Sequence, residues 1–324
     1  MRCHIFHRCL VFVFSSLMMT TLSSQQAPQY TQFMLNRYQF NPAYAGLDRS
    51  LSITAGLRTQ WTQFEGSPST QFVNVHLPLY ALDGSVGFGL ESDQLGPLNR
   101  VIISGSYNYV FESIVGLLSF GGRIGVNQVE IDASVLRTPM GTVIDNVVDL
   151  NDPILLTNDL SGASPWWGLG LYLVNDYGEF GLSLDNIPSD GITAGSSQFN
   201  ASQQLTLYAK TDVPINDLFI LAPNVLIRSD FVQTQVDIGA LVHYESVFGG
   251  MTIRGFTANS RDALNFIGGA QLNENIRLSY SFDFNISGLR TFHDGTHEFV
   301  VNYNLNKKIR TGEYPPIIYN PRYN

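Results

Sequence analysis

Apolar and polar residues alternate along most of the chain after residue 50. The clearest case is the stretch 275–285, NIRLSYSFDFN, whose apolar positions are Ile276, Leu278, Tyr280, Phe282 and Phe284. A period of two places these side chains on one face of a β-strand and the polar ones on the other. About ten alternating residues are what a tilted strand needs to cross a bilayer. The pattern therefore predicts strands with one face toward lipid and the other toward a polar interior.

The same alternation recurs about 14 times, and 12 strands is the alternative count. The predicted strands are 51–58, 71–79, 86–92, 101–111, 117–130, 166–173, 178–184, 205–212, 218–228, 232–244, 248–257, 263–272, 275–285 and 296–305. Connections longer than about five residues follow strands 1, 3, 5, 7 and 13, whereas those after even-numbered strands are short. Outer-membrane barrels have this asymmetry, with the short turns in the periplasm, whereas a soluble sandwich has no reason for it. An even strand count predicts both termini in the periplasm.

Composition favours a closed barrel over other membrane folds. Charged residues make up 14% of the chain, against about 25% in soluble domains. No apolar run of about 20 residues occurs after the N-terminal segment, so membrane-spanning helices are not expected. A barrel is the other structure that pairs every backbone group in lipid. The net charge of −9 argues against a nucleic-acid partner.

Residues 1–24 have the features of a secretory signal, with Arg2 and Arg8 preceding an apolar core at 10–19. We expect cleavage before Gln25, and a retained anchor helix is the alternative. The chain's two cysteines, Cys3 and Cys9, lie in this segment. The mature chain is thus predicted to have no disulfide, no zinc–thiolate site and no cysteine nucleophile.

Three further segments lack the alternation. We interpret residues 25–49 as an ordered lead-in or plug in the mouth of a barrel at 50–305, with a flexible terminus as the alternative. The acidic stretch 132–165 predicts a long loop that binds a partner or an ion such as calcium. Residues 306–324 form a basic, Pro- and Tyr-rich tail, either in contact with headgroups or a periplasmic partner, or solvated.

No catalytic grouping is evident in the sequence. The histidines on predicted strands and loops, His76, His243, His293 and His297, are scattered, and we interpret them as lumen lining. Residues 120–126, FGGRIGV, faintly resemble a phosphate-binding loop, but no helix follows. We therefore expect no enzymatic activity, no cofactor and no metal.

Several motifs resemble one known family. They are QYTQFMLNRYQFNPAYAG at 29–46, RTQWTQFEGSPSTQ at 58–71, GFGLESDQLGPLNR at 87–100, IGGAQLNENIRLSYSFDFNISGLR at 267–290 and GTHEFVVNYNL at 295–305. In this order they are similar to the PorP/SprF family of the Bacteroidetes type IX secretion system. The resemblance covers nearly all of the mature chain, although residues 131–200 match only as a generic barrel.

The resemblance implies a non-enzymatic, integral outer-membrane protein that supports export and cell-surface attachment of a secreted protein, such as an adhesin, through its C-terminal sorting domain. It also implies a link to gliding motility. The implied partners are the secreted substrate, periplasmic or outer-membrane components of the secretion system, and outer-membrane lipid. A small-solute transport barrel with an N-terminal plug is the alternative function, and an outer-membrane enzyme is a third.

The resemblance also marks candidate structural or partner-facing residues: Asn41, Pro42, Tyr44, Gly46, Arg58, Trp61, Phe64, Glu65, Gly66, Tyr280, Asp283, His297 and Glu298. The Asn41–Gly46 motif is expected to form a structural lead-in to the barrel. Arg58, Trp61, Glu65 and Gly66 are expected to shape the first extracellular loop. The alternation itself places Asp283 and Glu298 inside the barrel, where Arg277 is expected to neutralise Asp283, since an unpaired buried charge is costly.

Overall fold

The computed structural model describes residues 28–79, 83–133, 159–187, 192–194, 197–199, 203–255, 263–286 and 294–307. The predicted signal segment, the core of the acidic loop and most of the tail lie outside these residues. The described helices are a one-turn α1 (Arg37–Phe40) and a 3-10 turn (Pro42–Tyr44). None of the helices in this part of the chain is long and apolar enough to cross a membrane.

The described residues contain 17 strands. They are β1 Ser52–Thr59, β2 Ser69–Leu79, β3 Gly84–Leu95, β4 Leu98–Ser113, β5 Gly116–Ile131, β6 Leu160–Asn175, β7 Gly178–Asp185, β8 Ile192–Ala194, β9 Ser197–Phe199, β10 Gln204–Lys210, β11 Val213–Pro214, β12 Phe219–Ser229, β13 Thr234–Tyr244, β14 Val247–Arg254, β15 Ala263–Gln271, β16 Ile276–Asn285 and β17 Thr296–Asn304.

Fourteen of these strands form a closed antiparallel barrel. Consecutive strands pair with one another, with β7 followed by β10 and β10 by β12. The barrel closes where β1 pairs with β17, from Ser52 opposite Asn304 onward. The short β8 and β9 form a separate hairpin, and β11 pairs with β12 alone. The predicted fold class and the count of 14 strands are confirmed.

The two faces of each strand differ as the alternation predicts. In β16, Ser281 and Asp283 point into the barrel and are buried, whereas Leu278, Tyr280 and Phe284 point outward and are exposed. The outer wall carries many more exposed apolar side chains, among them Ile103, Tyr109, Phe120, Leu169, Ile238, Met251, Phe266 and Phe299. This surface suits the hydrocarbon of a bilayer, because lipid tails offer no hydrogen-bond partners to polar side chains on that side.

The connections define two rims of the barrel. On one rim, the long-connection rim, β1, β5, β7, β14 and β16 end, and the stretches of sequence to the next barrel strand are the longest. On the other, the short-turn rim, strands are joined by turns such as 114–115, 176–177 and 245–246. The prediction of a loop at 93–98 is wrong, because β3 and β4 remain paired up to a tight turn at Gly96 and Pro97. There the two strands stay paired beyond the apolar outer surface of the barrel. Their residues are polar because both faces of a strand can be exposed to water at that level. The short turn predicted at VPIN is instead the connection 211–218, which contains β11.

The lead-in, residues 28–50, runs through the interior of the barrel. Its first residue, Pro28, accepts a hydrogen bond from Arg228 Nη1 (3.3 Å), next to the end of β12 at the long-connection rim. By residue 37 the chain has reached the opposite end, where Arg37 Nε lies 3.2 Å from Glu179 Oε2 at the start of β7. The first part of the lead-in therefore crosses the lumen from one rim toward the other.

The lead-in then turns back toward the middle of the lumen and runs to the short-turn rim a second time. After α1, the Phe40 ring packs edge-on against Tyr30, with ring centroids 5.9 Å apart. At the short-turn rim, Asn304 Nδ2 donates to Asp48 Oδ2 at 3.1 Å, and β1 begins at Ser52. The segment thus occupies far more of the lumen than the mouth position expected from the sequence. The barrel interior is packed around it.

Apolar side chains of the lead-in form a core inside the barrel. Phe33 and Met34 are each 1% exposed, and they pack in a cluster with inward-facing wall residues such as Leu226, Leu241 and Phe248. Burial of such side chains contributes roughly 1.5–3 kcal/mol each. The lumen therefore contains a hydrophobic core of the kind found in soluble domains, surrounded by polar wall positions.

Glycines on the inner wall permit close approach of the lead-in. A Cβ atom at Gly121 in β5 would lie 2.5 Å from the backbone nitrogen of Ala43, and one at Gly87 would lie 2.5 Å from the Tyr38 hydroxyl. Real side-chain atoms do not approach so closely, so the backbones can touch only where the wall lacks a Cβ. The 29 glycines of the chain thus have, in part, a packing role.

We predict that Gly121→Ala destabilises the folded barrel by about 1–3 kcal/mol, because the added methyl group collides with the lead-in. The neighbouring Gly122→Ala is the control, since a Cβ there would meet only Leu169 Cδ2, at 3.9 Å. The measurement is the temperature at which the barrel loses its folded mobility on semi-native gels. Equal midpoints for the two variants would show that the lead-in does not press on this strand.

Candidate functional site

Six charged side chains meet inside the barrel near the long-connection rim. We call Arg58, Arg228, Asp237, Arg254, Asp283 and Glu298 the lumen charge cluster. Arg58 lies at its centre, with Nη2 2.7 Å from Asp283 Oδ2 and Nη1 2.8 Å from Glu298 Oε2. Arg254 bridges the two aspartates, at 2.9 Å from Asp237 and 3.3 Å from Asp283. The strands that contribute to it, β1, β12, β13, β14, β16 and β17, lie on both sides of the β1–β17 closure.

The start of the lead-in binds this cluster directly. The Thr31 hydroxyl donates to the Asp283 carboxylate at 2.7 Å and accepts from Arg58 and Arg254, each at 3.0 Å. The Thr31 amide donates to Glu298 Oε2 at 2.8 Å. Gln32 adds its own amide at 3.2 Å from Glu298 Oε1. A neutral segment thereby supplies the hydrogen bonds that the wall charges do not supply to one another.

The electrostatics of the cluster depend on complete pairing. Three arginines face two aspartates and one glutamate, so the formal charges sum to zero. Arg58, Asp283 and Glu298 are each only 1% exposed. A buried pair of this kind adds little net stability, but removing one partner typically costs about 3–5 kcal/mol because a charge is left unpaired. The cluster therefore specifies where the lead-in sits more than it stabilises the barrel.

The Asn41–Gly46 motif forms a second set of contacts, nearer to the short-turn rim than the lumen charge cluster. Asn41 Oδ1 accepts from the Ala43 amide at 2.9 Å, which caps the 3-10 turn, while its Nδ2 donates to the wall carbonyl of Leu171 at 2.8 Å. Asn108 and Ser119 donate to the carbonyl of Ala43 at 2.8 and 2.6 Å. Side chains of the wall thus satisfy backbone groups of the motif that have no water available to them.

The remaining motif residues pack near the short-turn rim. Gly46 has φ +66, a conformation that favours glycine, and its amide donates to His76 Nδ1 at 3.1 Å. Tyr44 accepts a hydrogen bond from Arg37 Nη1 at 2.7 Å. Pro42 is buried in the 3-10 turn. The motif is therefore packed inside the barrel, a few residues before β1 begins at Ser52.

Arg58 does not shape the first loop, contrary to expectation. It belongs to β1, and its guanidinium is buried in the lumen charge cluster. The sequence interpretation grouped it with the adjacent loop residues because strand β1 ends only one residue later. Trp61, Phe64, Glu65 and Gly66 do lie in the connection 60–68, where Trp61 N donates to Thr296 Oγ1 at 3.2 Å.

The candidate residues of β16 and β17 divide between the two faces of the wall. Asp283 and Glu298 point inward, as the alternation predicted. The Tyr280 hydroxyl and His297 Nδ1 lie 2.7 Å apart on the outer face, so His297 does not line the lumen, contrary to expectation. Arg277 does not neutralise Asp283, because it lies six residues away along β16 and donates to Gln271 Oε1 at 3.0 Å.

Other members of the cluster were not singled out from the sequence. The alternation alone could have placed three of them in the lumen, because each occupies an inward position of its strand: Arg228, Asp237 and Arg254. Their convergence depends on the register of β12, β13 and β14, which the sequence does not give. Thr31 lies in the motif at 29–46, but this segment has no periodicity from which its contacts could be inferred.

A cavity of about 90 Å³ remains beside the lead-in. It lies in the half of the lumen nearest to the long-connection rim and is lined by Tyr30, Glu91, Arg100, Arg123, Trp166 and Asp185, among others. Within the described residues, Arg123 Nε and Asp185 Oδ1 have no hydrogen-bond partner. Both side chains are more than nine-tenths buried. Neither atom has accessible surface, so neither of them is open to the cavity.

We predict that Arg58→Met lowers the stability of the barrel by about 3–5 kcal/mol, since it leaves Glu298 and Asp283 short of a cation. Adding Glu298→Gln removes one anion as well, so the double variant should lose less than the two single variants together. Arg277→Met is the control and should cost about 1 kcal/mol or less. The measurement is the urea midpoint of the barrel in lipid vesicles. Losses that simply add would contradict the pairing described here.

Among solved structures, the chain is similar to the Acinetobacter baumannii outer membrane protein Omp33 (TM-score 0.46, 5% identity, covering 79% of this chain and 97% of that chain). It is also similar to the CymD monoaromatic hydrocarbon channel (0.47, 10%, 89% and 96%). A third is the Pseudomonas putida toluene transporter TodX (0.47, 10%, 88% and 96%).

No curated protein matches the chain. The family model described as type IX secretion system membrane protein PorP/SprF matches residues 22–303, which is most of the sequence and runs from before the lead-in to the next-to-last residue of β17. The chain therefore belongs to the PorP/SprF family of type IX secretion system membrane proteins.

Proposed function

We propose that this outer-membrane barrel supports the export and cell-surface attachment of a secreted protein, such as an adhesin, through the C-terminal sorting domain of that protein. It carries out this role without catalysis. The observation that supports the proposal is the packed lumen. A barrel whose interior is occupied by its own lead-in offers a rigid surface at each rim rather than a passage between them.

The lead-in is fixed at several levels, which suits an anchor. Near the long-connection rim, Thr31 and Gln32 bind the lumen charge cluster. Near the short-turn rim, Arg37 pairs with Glu179, and Tyr172 donates to the same carboxylate at 2.6 Å. A bound protein that pulls on the barrel would then act on one cooperatively packed unit. Closed barrels also have no free strand edge, which limits nonspecific pairing.

The buried acids of the lumen favour a structural role over catalysis. Asp237, Asp283 and Glu298 are bound to arginines and turned away from solvent. A general acid or base must be able to reach a substrate and exchange a proton with it. Carboxylates paired and enclosed in this way stabilise a conformation instead.

Partners at both rims complete the proposal. The exported protein meets the long-connection rim outside the cell, and components of the secretion machinery meet the short-turn rim in the periplasm, following the usual orientation of outer-membrane barrels. The basic tail, which follows β17 at the short-turn rim, contributes to the periplasmic contact. The acidic loop around 132–159 is a candidate contact for the exported protein.

The experiment that tests this function is deletion of the gene, followed by labelling of proteins on intact cells. We expect a protein that carries a C-terminal sorting domain to disappear from the cell surface. Pull-down through a tag placed in a long connection should recover the same protein from solubilised outer membranes. Normal display in the deletion strain would refute the proposal. The matched control is a complemented strain carrying the Gly122→Ala variant, which should display normally.

We also predict that the intact barrel does not conduct small solutes, because its lead-in fills the lumen. Vesicles containing the full barrel should swell in arabinose no faster than empty vesicles, and removal of residues 25–48 should increase the rate several-fold. The measurement is light scattering after an osmotic step. Rapid swelling with the intact chain would favour the alternative function, transport of small solutes.

A further inference from the structure

Strand β6 continues beyond its neighbour β7 at the long-connection rim. At this rim the β6–β7 ladder ends with Gly168 opposite Asp185, whereas β6 itself begins at Leu160. On its other side β6 stays paired with β5 as far as Leu160, opposite Ile131. Among the described residues, 160–166 thus have a strand partner on one side only, along about 20 Å of backbone. The barrel is closed below this level, where each of its strands has two neighbours, and β6 carries an unpaired edge above it.

The backbone groups that point to this edge follow from the ladder. In an antiparallel pair, alternate residues direct both their amide and their carbonyl to the same side. The Trp167 carbonyl accepts a hydrogen bond from the Ile187 amide, at 3.3 Å, on the side of β7. The residues at intervals of two before it therefore direct their backbone groups to that side as well: Ser161, Ala163 and Pro165. No backbone group in the described part of the chain pairs with these groups, so the edge offers two donors and three acceptors.

The unpaired edge lies beyond the apolar outer surface of the barrel. Toward this rim, the exposed outward side chains of β5 change from Val126 to Gln128 and Glu130. Gln128 lies opposite Ala163, and Glu130 lies opposite Ser161. Unpaired backbone groups are not tolerated in hydrocarbon, and here the neighbouring outward residues are those of a wall exposed to water. The edge is therefore open to the solvent outside the membrane.

Pro165 suits the level at which the edge begins. It lies opposite Val126, the last apolar residue on the outer face of β5 before the polar ones. Proline has no amide hydrogen, so no unpaired donor is left where water becomes scarce. Within sheets, proline is found at edges, where its missing donor faces no ladder partner. The two donors of the edge, at Ser161 and Ala163, thus both lie at the wet level.

The hairpin of β8 and β9 does not cover this edge. Among the described strands, these two pair only with each other. Ile192 in β8 is 2% exposed and lines the same cavity as Trp166, whose side chain points into the barrel. The hairpin therefore packs against the inner face of the wall. The three edge residues remain exposed: Ser161, Ala163 and Pro165.

The chemistry of a partner is determined by these backbone groups. Along one side of a strand, amides and carbonyls recur at every second residue, about 6.6 Å apart. Another extended segment presents complementary groups at the same spacing, whereas a lipid headgroup or a helix does not. Addition of a strand to an exposed edge is a recurring mode of peptide recognition. The exposed carboxylates of Glu130 and Asp159 lie beside the edge, so they favour lysine or arginine in the added segment.

We propose that an extended, basic segment of the exported protein docks on β6 at 160–166 as an added strand. The edge lies at the long-connection rim, which faces the cell exterior in outer-membrane barrels. It is thus on the side of the membrane where a secreted protein is attached. The identity of the partner rests on the proposed function, whereas the site and the mode of pairing rest on the backbone of β6.

The pairing is tested with Ala163→Pro, which removes one of the two donors at the edge. The Ala163 amide points away from β5, so the β5–β6 ladder keeps all of its hydrogen bonds. We expect the barrel to reach the outer membrane in normal amount, with unchanged mobility on semi-native gels, and surface display of the exported protein to fall several-fold. Ala163→Val keeps the donor and is the matched control, which should display normally. Normal display with Ala163→Pro in a folded barrel would overturn the proposal.

Photo-crosslinking in intact cells tests the same edge without a proline, in case Ala163→Pro folds poorly. A photoreactive residue at position 163 should form an adduct with the protein whose display is lost in the deletion strain. One at the lipid-facing position 266 should form none. Absence of the adduct at position 163, or an adduct only with another part of this chain, would overturn strand docking. Loss of display in the deletion strain would then still support the proposed function, so the two failures can be distinguished.

Discussion

The buried ion pairs around Arg58 are the constraint on which the rest of the structure depends. Charges inside a lumen from which water is displaced must be paired and hydrogen-bonded, or the folded state pays several kcal/mol for each. Arg58 contacts Asp283 and Glu298, and Arg254 extends the pairing to Asp237. Because Thr31 completes these hydrogen bonds, the wall and the lead-in require each other.

The inner wall of the barrel is largely polar, but packed side chains cover it as they would in a soluble domain. Outward side chains contact lipid, and part of the inward set packs on Phe33 and Met34. Glycine makes this possible where backbones touch, as at Gly121 beside Ala43. An open pore needs water along its inner wall, whereas here side chains occupy that space. The packed interior therefore supports an anchoring role and argues against free passage of solutes.

Much of the fold was predictable, and the reasons are physical. A period of two is a local property, so strands such as β16 and the inward direction of Asp283 could be inferred from the sequence alone. Pairing across the barrel is not local. Arg254 reaches Asp283 only because of the register of β14, β15 and β16, and no such register is encoded in the alternation. The lead-in has no period at all, so neither its path through the lumen nor the contacts of Thr31 could be inferred.

Closure of the barrel and placement of the lead-in depend on the same strand. The lead-in crosses the lumen and continues directly into β1, which pairs with the last strand, β17. That last strand carries Glu298, the acceptor for the amides of Thr31 and Gln32. Before β17 pairs, Arg58 lacks one of its two anions, and the amides of Thr31 and Gln32 lack their acceptor. The final strand of the chain thus supplies both the seam that closes the barrel and the charge that fixes the lead-in inside it.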